Sequence, residues 1–496
     1  MKRNLESVAT LFAGFIAVAV LLAPGLAAAH TFAPPYTLPV PFTFYAFGAA
    51  AALVLSFVIV GVFATAPSLG LLHRPVVDAP AERARPGVLL LAARLVSVAL
   101  LVICIVSGLI GTQNSYANIN MTFFWIVFVL GVAYAVAIVG DFYAAVNPWR
   151  VLVDAVAQIT PIRFGGHLRA PERLHYWPAL VLYMMFIWLE LFGRTKPWSL
   201  SVALLVYTAI NFVGAWWMGR DAWFRQGEFF AIFMRLLGKM SPWARPYDPE
   251  ERARTGSRRW RAPFSGLLEE RAHHISLLLF ILFMLSSTAF DGIHDTSPWA
   301  NLFWKGIYPY IAPLFASGTT AQQYALSAKL YYIWQWIALL VSPLVYLAVY
   351  VLFVAIAKFV TRSTQSVGAL ALRFAMSLVP IAFVYHVTHY YTLLLSQGTQ
   401  MIRLVSDPMG RGWDLFGTGR QTVEPLMIDV EAIWHTQVAL ILFGHIVSVY
   451  LAHLEALQIF STPRRAAASQ LPLLVLMMMF TTLGLWILSL PLGSGG

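Results

Sequence analysis

Ile381-Ala-Phe-Val-Tyr-His386-Val-Thr-His389-Tyr-Tyr-Thr-Leu-Leu-Leu395 is followed, after one polar loop, by Ala432-Ile-Trp-His435-Thr-Gln-Val-Ala-Leu-Ile-Leu-Phe-Gly-His445. Both runs are apolar enough to cross a bilayer. Both also carry histidine, which is uncommon in a span because a polar ring there needs a partner or a task. Five of the twelve histidines lie between Ile381 and Glu455: His386, His389, His435, His445 and His453.

Working outward, the whole chain shares this character. Hydrophobic residues make up 59% and charged residues 11%, against roughly 25% charged in soluble domains. With these two, ten runs can each span a hydrocarbon core, which takes about 20 helical residues. They cover about 44–66, 88–111, 119–140, 176–193, 198–218, 274–290, 330–357, 366–396, 432–455 and 471–490. The expected fold is therefore an all-α integral membrane protein with about ten transmembrane helices. Pro343 and Pro380 fall inside spans, where proline bends or breaks a helix. Amphipathic segments over 222–240 and 301–315 are expected to pack on the bundle or lie at the lipid interface.

Lys2 and Arg3, the apolar stretch Leu11 to Leu22 and Ala27-Ala28-Ala29 match a cleaved secretory signal over residues 1–29. Residues 30–496 then form one polytopic membrane domain. The mature chain would begin at His30, whose amine and imidazole together can chelate copper or zinc. Both termini are expected outside. Under that topology the loops assigned to the cytoplasm hold 22 Lys and Arg, and the outer loops hold 7. This is the expected bias, and it accounts for the net charge of +11. The largest cytoplasmic loop is 219–273; the outer loops are 291–328 and 397–431. The basic run from Arg252 to Arg261 reads as attraction to anionic lipid, with no nucleic-acid motif near it.

Cys104 is the single cysteine, which excludes an intrachain disulfide or a thiolate metal centre. No P-loop is present, so no nucleotide cofactor is expected, and HExxH and GxSxG are also missing. Chemistry falls instead to the outer ends of the spans. His386 and His389, three residues apart, share one helix face. His435 belongs to the same depth. Asp291 and His294 open the outer loop after the sixth span, and His30 adds a further ring. Such a His and carboxylate mixture suits a divalent ion, zinc or copper. His445 lies deeper and His453 near the cytoplasmic end. The Gly-rich loop 406–420 carries Asp407, Arg411 and Asp414 for contact with a polar substrate and reads as a cover over the outer group. On the cytoplasmic side, Asp141 is expected to pair with Arg150. Glu190, Arg94 and Arg373 are further ionisable residues expected to pair among themselves.

Several strings resemble a family of bacterial polytopic membrane proteins labelled fenitrothion hydrolase. They are Leu38-Pro-Val-Pro, Gly140-Asp-Phe-Tyr-Ala-Ala-Val-Asn-Pro-Trp-Arg150, Thr288-Ala-Phe-Asp-Gly292, His389-Tyr-Tyr-Thr-Leu-Leu-Leu395 and Ser406-Asp-Pro-Met-Gly-Arg-Gly-Trp-Asp-Leu-Phe-Gly-Thr418, with the Gly444-His445 and Ala452-His453 pairs. The family pattern carries one histidine at the position of His389. His386 is a departure, which shifts weight to His389 with Asp291, His435 or His445. The resemblance implies a bacterial inner-membrane hydrolase of organophosphorus triesters. A metal ion would activate water and polarise the phosphoryl oxygen, and Asp291, with Asp414 as a second candidate carboxylate, would supply acid–base catalysis. The alternative is copper or zinc handling through the outer histidines. Expected partners are the lipid bilayer and either a small apolar substrate or a metal ion.

Overall fold

The computed structural model describes residues 41–63, 87–168, 170–244, 259–315, 319–421 and 429–490. The signal segment and His30 lie outside the described residues. Among the described residues, nine helices are long and apolar enough to cross a membrane. Eight of the nine are α1 (Phe42–Phe63), α2 (Val88–Ile110), α3 (Ile119–Val139), α5 (Pro197–Met218), α7 (Ile275–His294), α8 (Thr320–Thr361), α10 (Val430–Ile459) and α11 (Pro463–Ser489). The ninth is the broken run 367–406, whose central helix is α9 (Val379–Gln397). The expected span over 176–193 is the shorter α4 (Trp177–Phe192). One further short apolar helix, α6 (Phe229–Gly238), completes the bundle. This is an all-α integral membrane protein.

Helix α7 is the axis of the assembly. Its apolar window is 83% buried, against 11% for α2. A helix that is apolar on every side belongs inside a bundle, and α7 reads Ile-Ser-Leu-Leu-Leu-Phe-Ile-Leu-Phe-Met-Leu from residue 275. It packs against α4, α8 and α9. Lipid tails are as apolar as leucine, so close packing and interhelical hydrogen bonds must hold such helices together. Gly444 illustrates the first: a methyl there would come within 2.4 Å of Val384, so only glycine lets α10 approach α9 this closely.

Proline shapes the run before α9. Helix Val367–Phe374 gives way to a 3-10 turn over Ala375–Leu378, and Pro380 sits in the first turn of α9, where its missing N–H costs nothing. Pro343 lies inside α8, which nevertheless runs on to Thr361, 42 residues in all.

The segment 222–240 packs inward. In α6 Ile232, Met234, Leu236 and Leu237 are fully buried, and the helix touches α4 and α9. Its only charged interior residue is Arg235, which reaches the Arg225 carbonyl at 2.8 Å. The 301–315 segment also folds onto protein: Phe303 is buried against Tyr331 and Trp334 of α8. We call the end of the bundle that bears loops 141–176 and 219–274 the basic end.

Two pairings differ from expectation. Arg150 reaches Asp221 at 2.9 Å, while Asp141 accepts from the Ala144 N–H at 3.0 Å and so caps the short helix Tyr143–Val146. Arg94, Arg373 and Glu190 do not pair with one another. Arg94 donates to the Ala145 carbonyl, Arg373 pairs with Glu455 on α10, and Glu190 lies in the site described next.

Candidate functional site

Three helices bring the site together at the end opposite the basic one. Asp291 lies one turn before the end of α7. His389 and Tyr390 are consecutive on α9, and Glu190 is near the end of α4. The Asp291 Oδ2 atom sits 2.7 Å from His389 Nε2 and accepts from the Tyr390 hydroxyl at 2.5 Å. His294, one turn after Asp291, turns Nδ1 to the Asp291 backbone carbonyl at 2.8 Å, with Asp291 Oδ1 at 3.8 Å. Gln335 of α8 donates to the His294 carbonyl at 3.3 Å, tying the end of α7 to its neighbour.

The geometry fixes a tautomer. A carboxylate facing Nε2 holds the proton there when the ring is neutral. The lone pair of His389 then lies on Nδ1, and no protein group is bonded to that nitrogen among the described residues. The His389 side chain is 24% exposed and Asp291 15%. Gly292 makes room for α11 beside the site: a methyl there would stand 2.5 Å from Ile487, and only in ordinary contact, 3.7 Å, with His389 Cε1. Asp291 therefore orients an imidazole whose other nitrogen has no protein hydrogen-bond partner among the described residues, which is the arrangement of a general base and its positioning carboxylate.

A small cavity adjoins the pair. Glu190, Tyr390, His386, Ser287 and Thr288 supply its polar lining, and Phe186, Phe229, Phe230 and Phe233 much of the rest. His386 faces Tyr134 and Phe233 rather than Asp291, and its Nδ1 is buried without a partner.

The remaining expected residues lie apart. His435 turns Nδ1 to the Glu431 carbonyl at 2.9 Å and faces Tyr45 of α1. His445 is fully buried, with Nδ1 on the Ile441 carbonyl at 2.8 Å. Asp414 does not join the site. Its Oδ1 accepts from the Gly419 N–H at 2.7 Å and closes its own turn. The loop 406–420 is not a cover over the histidines either. It docks on the 111–119 connection: Thr112 N–H donates to the Met409 carbonyl, Ile119 N–H to the Pro408 carbonyl, and Arg411 to the Ile110 carbonyl. Gly410, at φ +63°, lies against Thr112 and Ala117 where a side chain would collide.

Among the described residues, no three His, Cys, Asp or Glu side chains converge as a metal centre would need. His389 Nε2 is committed to Asp291, His294 Nδ1 to its own helix, and His435 stands elsewhere.

Sequence reading undervalued Glu190 and Tyr390. The signal for Glu190 was present: a lone acid in an otherwise apolar 16-residue helix. Tyr390 is one of several tyrosines near the histidines, and nothing in spacing singles it out.

No family model matches this chain, and no curated protein or solved structure is similar to it.

Proposed function

We propose that this protein is a membrane-embedded hydrolase of apolar organophosphorus esters, with its site open to the periplasmic side of a bacterial inner membrane. The observation that carries the reading is the 2.7 Å pair of Asp291 and His389, with no protein hydrogen bond to the second ring nitrogen among the described residues. His389 Nδ1 takes a proton from water as the water oxygen attacks phosphorus. The bond from phosphorus to the aryl oxygen breaks, and the aryloxide leaves and is protonated by solvent. Asp291 stabilises the imidazolium formed on the way. A general base of this kind contributes about 10²- to 10⁴-fold. Neutral triesters partition into lipid, which suits a site at the end of a membrane bundle. The resemblance of the Thr288–Gly292, His389–Leu395 and 406–418 strings adds the substrate class.

Hydrolysis of an aryl phosphotriester by purified protein in ¹⁸O-water tests this. The expected result is one heavy oxygen in the diester product, with a rate at least about 100-fold lower for His389→Ala. No turnover by the wild type, or full turnover by the variant, would overturn the reading.

A second reading, zinc or copper handling, has one observation in its favour: two buried ring nitrogens without partners, His386 Nδ1 and His445 Nε2. Metal analysis of protein never exposed to chelator separates the two. Stoichiometric copper or zinc that disappears in a His386→Ala, His445→Ala double variant favours metal handling.

A further inference from the structure

The cavity beside the Asp291 pair holds a single acidic side chain, Glu190, among hydroxyls, an imidazole and aromatic rings. It has room for about one water. Glu190 contributes a carboxylate, and among the described residues that carboxylate forms no ion pair. The Tyr390 hydroxyl beside it already donates its hydrogen to Asp291 at 2.5 Å. The Thr288 hydroxyl donates its own to the Met284 carbonyl at 3.3 Å. Both oxygens are therefore left with lone pairs. His386, also in the wall, keeps its Nδ1 buried without a partner. Glu190 would repel an anion here, and a carboxylate in a low-dielectric interior is costly without a compensating positive charge.

We propose that this cavity is a binding site for one sodium-sized monovalent cation, held by the Glu190 carboxylate with the Tyr390 and Thr288 hydroxyl oxygens. One carboxylate matches one positive charge. The neighbouring Asp291 is already engaged by His389 and Tyr390. Magnesium demands octahedral coordination and keeps several waters, and the cavity has no room for them. Sodium accepts mixed oxygen ligands with one water or none. Because Tyr390 touches both the cavity and Asp291, an ion on Glu190 also fixes the hydroxyl that faces the acid–base pair.

The site is tested without turnover, so its failure is distinct from failure of the hydrolase reading. Radioactive sodium binding to purified protein in nanodiscs should saturate near one ion per chain, with choline chloride holding ionic strength constant. Glu190→Gln should abolish binding. Thr288→Val, milder for folding, should weaken it at least tenfold. Sodium should also raise the unfolding temperature of the wild type and not that of Glu190→Gln, since a ligand stabilises only the state that binds it. Binding no greater than in the choline control, or equal binding by Glu190→Gln, would overturn the proposal. So would an infrared band for a protonated Glu190 carboxyl at neutral pH that sodium leaves unchanged.

Discussion

Two carboxylates inside this bundle invite comparison: Asp291 near one end and Glu228 toward the basic end. Glu228 is fully buried at the N-terminus of α6. Its oxygens accept from the backbone N–H groups of Phe230 at 3.0 Å and Ala231 at 2.7 Å, from Asn147 Nδ2 at 3.1 Å, and from the Tyr207 hydroxyl. These donors keep their protons at neutral pH, and the helix dipole adds to their effect. Glu228 is thus a saturated cap with no capacity left for chemistry. Asp291 accepts from two side chains, and one of them is an imidazole that exchanges protons near neutrality. Burial alone does not mark a catalytic acid; the partner's ability to change protonation does.

The comparison can be broken most forcefully at the Asp291–His389 pair. His389→Ala should lower hydrolysis by about 100-fold or more while leaving the unfolding temperature close to wild type, measured on the same purified preparations. At the other pole, Glu228→Ala strands the α6 N–H groups and Asn147. It should cost about 3 kcal/mol in denaturant unfolding. Glu228→Gln keeps an acceptor and should cost about 1 kcal/mol.

A pH experiment sharpens the scaffold half. Burial opposes the charge on Glu270, but Arg235 and Lys239 overcome it and hold the carboxyl down to about 2; Lys239 Nζ lies 2.9 Å away. A depressed folded pKa stabilises the fold above the ordinary carboxylate range, and the contribution is lost as pH falls from about 4.5 toward 2. Acid unfolding curves should show Glu270→Gln less stable than wild type at neutral pH, by about 2 kcal/mol. The difference should shrink as pH falls through that window. The smallest effect is expected at the 406–420 loop, where Asp414→Ala should change turnover by less than about twofold, because its carboxylate serves its own turn.

Most of the architecture was legible in the sequence, for a physical reason. A span must satisfy its backbone internally and present apolar side chains, so length and hydropathy nearly determine the helices. The interruption before Pro380 followed from proline's missing donor. The inward placement of 222–240 was only half legible, because apolar flanks around Arg235 fit packing on protein as well as lipid. The site divides similarly. Asp291 and His389 stood out as polar residues at matching depth by helical rise, and they lie 2.7 Å apart. Azimuth across different helices is set by packing, which no single-helix pattern encodes. That is why His435 faces Tyr45, why Asp414 serves its own loop, and why Glu190 pairs with neither Arg94 nor Arg373.

The central claim is that Asp291 positions the base His389 for chemistry and Glu228 holds structure. The direct measurement compares Asp291→Asn and Glu228→Gln side by side, as single-turnover hydrolysis of an aryl phosphotriester per folded molecule. The account predicts a loss of about 100-fold or more for Asp291→Asn and a rate within about threefold of wild type for Glu228→Gln. Equal losses in both, or a larger loss in Glu228→Gln, would contradict it.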